Sequence, residues 1–205
     1  LLELAIRNRH NPTKVLQKRL KQSYIFYREH HRRRRAPAFV PWQTMAYCEF
    51  YRQNPQKEYA DWIFEMNDEL VATMQPTFAE ADLNGAFCST RPPAPRVNKQ
   101  RPHASSTAVY LDGLIDAFVL ARNLGDKRHQ ERYRKSILKG LHELMVMQFR
   151  DDADLFFVPT AERERVRGSI RSNPWDCVVR EDNGPHCILA GIKILREFTP
   201  QDYLP

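Results

Sequence analysis

The sequence predicts an all-α fold of stacked αα-hairpins, and three observations carry that expectation. Helical periodicity runs through most of the 205 residues, while strand alternation is scarce. The helical segments come in pairs joined by short turns, "RQNPQ" and "NLGDK", as antiparallel hairpins do. The pieces also repeat along the chain, and such repeats bury their apolar faces only by packing side by side.

The first 35 residues stand apart by charge. They hold eleven Lys/Arg, four of them the run Arg32 to Arg35, against Glu3 and Glu29. The other 170 residues hold 21 basic and 23 acidic side chains, so the net +7 belongs to this N-terminal arm. Val15, Leu16, Leu20, Tyr24 and Tyr27 trace an apolar stripe on a basic helix over 13–29. Pro37 and Pro41 end it, because proline excludes continued helix. The expected division is a basic helical arm, 1–35, and a hairpin domain, 36–205, taken as a piece of a larger protein.

Further helices are expected at about 43–54, 57–75, 105–124, 127–149 and 186–198, with long irregular stretches at 76–103 and 150–185. Two copies of one pattern lie among them. "EYADWIFEMNDELVATMQ" ends in Gln75 and "ERYRKSILKGLHELMVMQ" ends in Gln148, with Tyr59 and Tyr133 at nearly the same distance before. Each is followed by a glycine and small or apolar residues, Gly85-Ala86-Phe87 and Gly168-Ser169-Ile170. Eighteen residues after each glycine stands a histidine behind a proline, His103 in "PHASSTAVYLDGL" and His186 in "PHCILAGIKILRE". "PWQTMAYCEFY" offers a third copy, with Trp42 in the histidine's place. The long loops all fall between pairs and would gather at one end of the stack, where binding chemistry is expected.

The segment "TAVYLDGLIDAFVLARNLGDKRHQERYRKSILKGLHELMVMQ" resembles a hairpin of the α/α-toroid superfamily, which includes six-hairpin glycosidases and the N-acylglucosamine 2-epimerase type of sugar epimerase. The likeness lies in a small-residue inner helix, a "GD" turn, an outer helix ending near Gln, and a Gly-containing strand-like segment, here "RGSIRS". It covers roughly residues 40–198. It implies a partial helical toroid whose inner-helix N-termini ring a carbohydrate-binding pit, the reaction being glycoside hydrolysis or sugar epimerisation. A full toroid has more hairpins than 205 residues allow, and "REDNGPH" carries Pro185 where the relatives have glutamine. Only the location of the site is therefore carried over.

Sugar chemistry of that kind needs proton donors and acceptors around one carbon. Asp182 and His186 lie four residues apart at the mouth of a helix, where an anionic group is favoured, and Arg180 beside them suits a carboxylate or phosphate. The alternative is that Asp182 or Asn183 caps the helix while Glu181 and Arg180 are solvated. His103 matches His186 in the repeat; otherwise Pro-His only starts a helix that Ser105, Ser106 and Thr107 cap. Asp112 and Asp116 sit one turn apart on an otherwise apolar helix, so they face a central pit, pair with a buried Arg, or mark the helix's one exposed face. Asp112, His103, Asp182 and His186 are thus the candidate acid/base groups. Trp42 and Trp175 are candidate stacking platforms and alternatively plugs over a core edge. Arg167 and Arg171, with Arg163 and Arg165, make the loop end basic.

Four cysteines without a C-x-x-C pair point to reduced thiols, and their spacing matches no standard zinc motif. No metal or cofactor is expected. No P-loop, Rossmann glycine pattern, H-E-x-x-H or G-x-S-x-G motif occurs. No apolar run approaches the roughly 20 residues of a membrane span, and no signal segment is visible, so a cytoplasmic location is the expectation. The competing reading is a non-catalytic helical scaffold whose basic arm binds an acidic partner by charge. Nucleic acid is disfavoured as that partner, since no recognition motif accompanies the arm.

Overall fold

A computed structural model of the chain describes residues 1–88 and 102–204. The expected irregular stretch 76–103 therefore lies partly outside the described residues. Among these, the chain is all-helical. The helices are α1 (Leu2–His10), α2 (Lys14–Arg34), α3 (Val40–Gln53), α4 (Lys57–Met74), α5 (Ala104–Leu124), α6 (Lys127–Val146), α7 (Arg163–Val166) and α8 (Asn183–Glu197). The only β-type pairing among the described residues is three isolated bridges. The chain divides into two compact units, one of Leu1–Ala72 with Gly113–Arg134, the other of Thr73–Asp112 with Lys135–Pro205.

In the first unit, Thr13 starts α2 by accepting a hydrogen bond from Leu16 N at 3.1 Å. Arg35, in the left-handed region at φ 47°, stops it by returning its N–H to the His31 carbonyl. Residues 1–35 join this unit's core. Ala5, Leu20 and Tyr24 are buried, and Asn8 of α1 donates to Gln53 of α3 at 2.6 Å. Tyr24 meets the rings of Tyr47 and Tyr59 edge-on at 5.7 and 4.7 Å, the arrangement their quadrupoles favour. The arm's charge is met locally as well. Arg32 pairs with Glu65, Arg35 with Glu69, Arg9 with Glu49, Arg33 with Glu29 and Arg7 with Glu3.

α3 and α4 form an antiparallel pair around the turn at 54–56. Phe50 and Tyr59 pack at 4.8 Å near the turn, and Asn67 donates to Thr44 at 2.8 Å farther away. From α6, Tyr133 donates to the Phe64 carbonyl and to Asp68, while His129 stacks on Phe64 at 4.2 Å.

In the second unit the two glutamines singled out in the sequence make contacts of one kind. Gln75 donates to the Gly85 carbonyl at 2.8 Å, and Gln148 donates to the Gly168 carbonyl at 3.1 Å. The strand-like segment after Gly168 pairs on both sides, Gln148 with Ile170 and Arg171 with Val179. It then accepts a hydrogen bond from the first residue of α5, Ala104 N to Ser172 O, at 2.9 Å. These short pairings are what set the loop before α8 against the start of α5. Farther along α5, Leu111 closes over Gly140 of α6, so close that a Cβ on Gly140 would stand 2.8 Å from its methyl.

α5 is long and apolar enough to cross a membrane by length and composition, but 72% of its apolar window is buried within the fold. A core helix passes the same test, and this one carries Asp112, Asp116 and Arg122.

Candidate functional site

The start of α5 and the loop leading into α8 bring the predicted loop-end residues together. Asp182 occupies the N-cap position of α8 but makes no side-chain cap bond. Its carboxylate instead accepts two hydrogen bonds from Arg180, at 2.9 and 3.1 Å, and one from Ser105 of α5 at 3.2 Å. Asn183 does not cap either. Its amide donates to the Ile170 carbonyl and the Ser172 hydroxyl, at 3.0 and 3.1 Å, and so locks α8 to the strand-like segment. The capping alternative for this loop is thus not how these side chains are used.

His103 stands one turn before Thr107 and accepts its backbone N–H. The ring is half-buried, and Nδ1 is enclosed without a hydrogen bond. Burial pushes its pKa down, the Arg180 cation pushes the same way, and Asp182 and Asp176 oppose them. The imidazole is therefore neutral at pH 7. Asp182 moves down from its usual range, chiefly through its hydrogen bonds from Arg180. The site thus couples a neutral imidazole to an ionised carboxylate held by a guanidinium. His186 follows within the first turn of α8, half-buried, its backbone N–H directed at the Asp182 carbonyl.

Trp175 is 63% exposed in the same loop, its N–H taken by Asn173 Oδ1 at 3.0 Å. Asn173 also grips Asp176, one of the two acids that act on His103.

The other candidates lie elsewhere. Asp112 is nine residues beyond His103 on α5, or about 13 Å along the axis. Its carboxylate is 2.6 Å from Lys193 of α8, so it is neither on an open face nor paired with the arginine the sequence suggested, but held by a lysine. Arg167 is spent within its own loop on Asp152 and Glu164, at 3.0 and 2.9 Å. Arg171 donates to the Val146 carbonyl and covers the Phe149 ring. Trp42 belongs to the first unit, where it lines an aromatic-walled cavity.

One titratable group was not foreseen. Glu143 of α6 is fully buried, and neither carboxyl oxygen has a hydrogen bond. Burial pushes its pKa up to about 8, with the nearby Thr107 hydroxyl partly offsetting that. The thiols of Cys88 and Cys187 are also raised to about 12, first by burial and then by the charge of Glu143. The signal was present in the sequence. Ser136, Gly140, Glu143 and Met147 share one helical face, and all four are buried.

Among the described residues, no group of three or more His, Cys, Asp or Glu is arranged to hold a metal ion. The chain matches no known protein family, no curated protein and no solved structure.

Proposed function

We propose that the chain is a carbohydrate-active domain of the α/α-toroid type, an arc of αα-hairpins that binds a sugar at the loop end of its second unit. One observation carries the reading. His103 and Asp182 are 79 residues apart in sequence, yet they meet around Arg180 and Ser105 at matching ends of two copies of one repeat. In this reading the neutral His103 imidazole takes a proton from the sugar. Asp182 keeps Arg180 oriented and stabilises the imidazolium that results. His186 is the second imidazole, and the exposed Trp175 ring is the face on which the sugar's C–H groups stack.

The test is a thermal-shift panel of neutral, acidic and phosphorylated sugars on the parent chain, on His103→Ala and on Asp182→Asn. One sugar class should raise the parent's melting temperature by a few degrees, and both variants should lose that rise while keeping the parent's helical circular dichroism. A flat response from well-folded parent protein sinks the reading.

A helical scaffold is the second reading, and α8 favours it. Ile188, Leu189, Ile192 and Leu195 are each more than half exposed on this helix, from 52 to 79%, and contiguous apolar exposure marks contact surfaces. The basic arm supports it less, because five of its arginines already have acidic neighbours within the first unit.

A further inference from the structure

The first unit holds a cavity of about 580 Å³ bordered by α2, the start of α3 and residues Leu1 to Glu3 at the start of α1, within the roughly 300–1,000 Å³ of small-molecule sites. Its walls are aromatic: Phe26 and Tyr27 from α2, Phe39 just before α3, and Trp42 from its first turn. Phe26 and Phe39 are each 61% exposed and Trp42 is 48% exposed. A soluble surface keeps such a cluster at a cost unless something covers it. Two buried polar groups border the same cavity. Gln43 Oε1 is enclosed without a donor, and His31 Nδ1 is enclosed without a partner. The His31 ring is 4% exposed, and burial lowers its pKa, so it stands neutral against Glu69, whose carboxylate pairs with Arg35. An enclosed acceptor without a donor costs stability that a ligand donor would restore.

The geometry points to a binding site for a small, flat aromatic molecule that carries one N–H or O–H donor, its ring held by Phe26, Phe39 and Trp42 and its donor directed to Gln43. The site is separate from the proposed sugar site in the second unit, and neither depends on the other.

Titration calorimetry of the whole chain with indole and with 1-methylindole tests this. Both are flat and apolar, and only indole has the donor. Indole should bind at least tenfold tighter. Gln43→Met should bring indole down to the level of 1-methylindole, and Phe39→Ser, at an exposed position, should weaken both rings by tenfold or more. Equal affinity of the two rings for the parent protein, no binding of indole at millimolar concentration, or unchanged binding in Phe39→Ser would each overturn the proposal.

Discussion

Lys193 Nζ lies 2.6 Å from the Asp112 carboxylate and donates to the same residue's carbonyl at 2.9 Å. Two bonds from one ammonium thus tie α8 to the middle of α5. Both side chains are mostly buried, 17 and 12% exposed, so the Asp112 charge leans on this ammonium. Removing the ammonium takes the counter-charge from a carboxylate in a poorly solvated place. Lys193→Met should therefore cost about 2–4 kcal/mol. Adding Asp112→Leu should recover most of that, because neither charge remains. Urea unfolding of the two single variants and the double variant measures the coupling. Additive losses would show that the pair holds nothing together.

Gly85 and Gly168 hold matching places in the repeat and both have positive φ, +131° and +84°. Their surroundings differ. A Cβ on Gly85 would stand 2.1 Å from the Lys139 carbonyl oxygen, whereas at Gly168 the nearest atom is 4.0 Å away. Gly168→Ala meets only the left-handed backbone penalty, about 1–2 kcal/mol. Gly85→Ala meets that strain together with a backbone clash, and should cost more than about 4 kcal/mol, an exceptional loss for one methyl. Unfolding midpoints of the two variants check the order, and equal losses would contradict the close packing of Gly85 on α6.

These glycines also show what the sequence could reveal. The eighteen residues from Gly85 to His103 and from Gly168 to His186, behind helices ending in Gln75 and Gln148, suggested a repeat from the sequence alone, and each glutamine does contact the glycine that follows it. Helical periodicity placed α2 to α6 and α8, since each buries one stripe. Partners across long separations were not legible. Nothing local distinguishes an Asp112 that faces solvent from one that faces Lys193, 81 residues later. Ser105 looked like a capping hydroxyl and instead binds Asp182. The arm's charge suggested an independent segment, but Arg9, Arg32 and Arg35 meet acidic partners on α3 and α4. Arg32 alone does not point to Glu65.

Cysteine reactivity follows from burial. Cys48, Cys88 and Cys187 are buried, and Cys177 is exposed in the loop beside Trp175. Thiolate, not thiol, attacks a disulfide reagent, and burial holds Cys88 and Cys187 up near 12. Native protein at pH 8 should therefore release one equivalent from an aromatic disulfide reagent quickly, and four after denaturation. Cys177→Ser should abolish the fast equivalent. Two or more fast equivalents in the native chain would mean that at least one buried thiol is reachable.

Glu143 predicts an unusual pH dependence. Unfolded, its carboxyl titrates near 4.5; folded, burial raises it to about 8. Below pH 4.5 both states are protonated and burial of the neutral acid carries no charge penalty. Between 4.5 and 8 the unfolded chain gives up this proton and the folded chain keeps it. The native state then binds more protons, and stability falls as pH rises. The thiols that feel this charge, Cys88 and Cys187, stay protonated throughout the window. At about 1.4 kcal/mol per pH unit the full loss approaches 5 kcal/mol, complete only above pH 8. Glu143→Gln lacks the ionisation, so its stability relative to the parent should improve steadily from pH 5 to pH 8.5 and then level. Unfolding free energies of both proteins across that range decide the matter. Parallel curves would mean that the carboxyl reaches water in the native state.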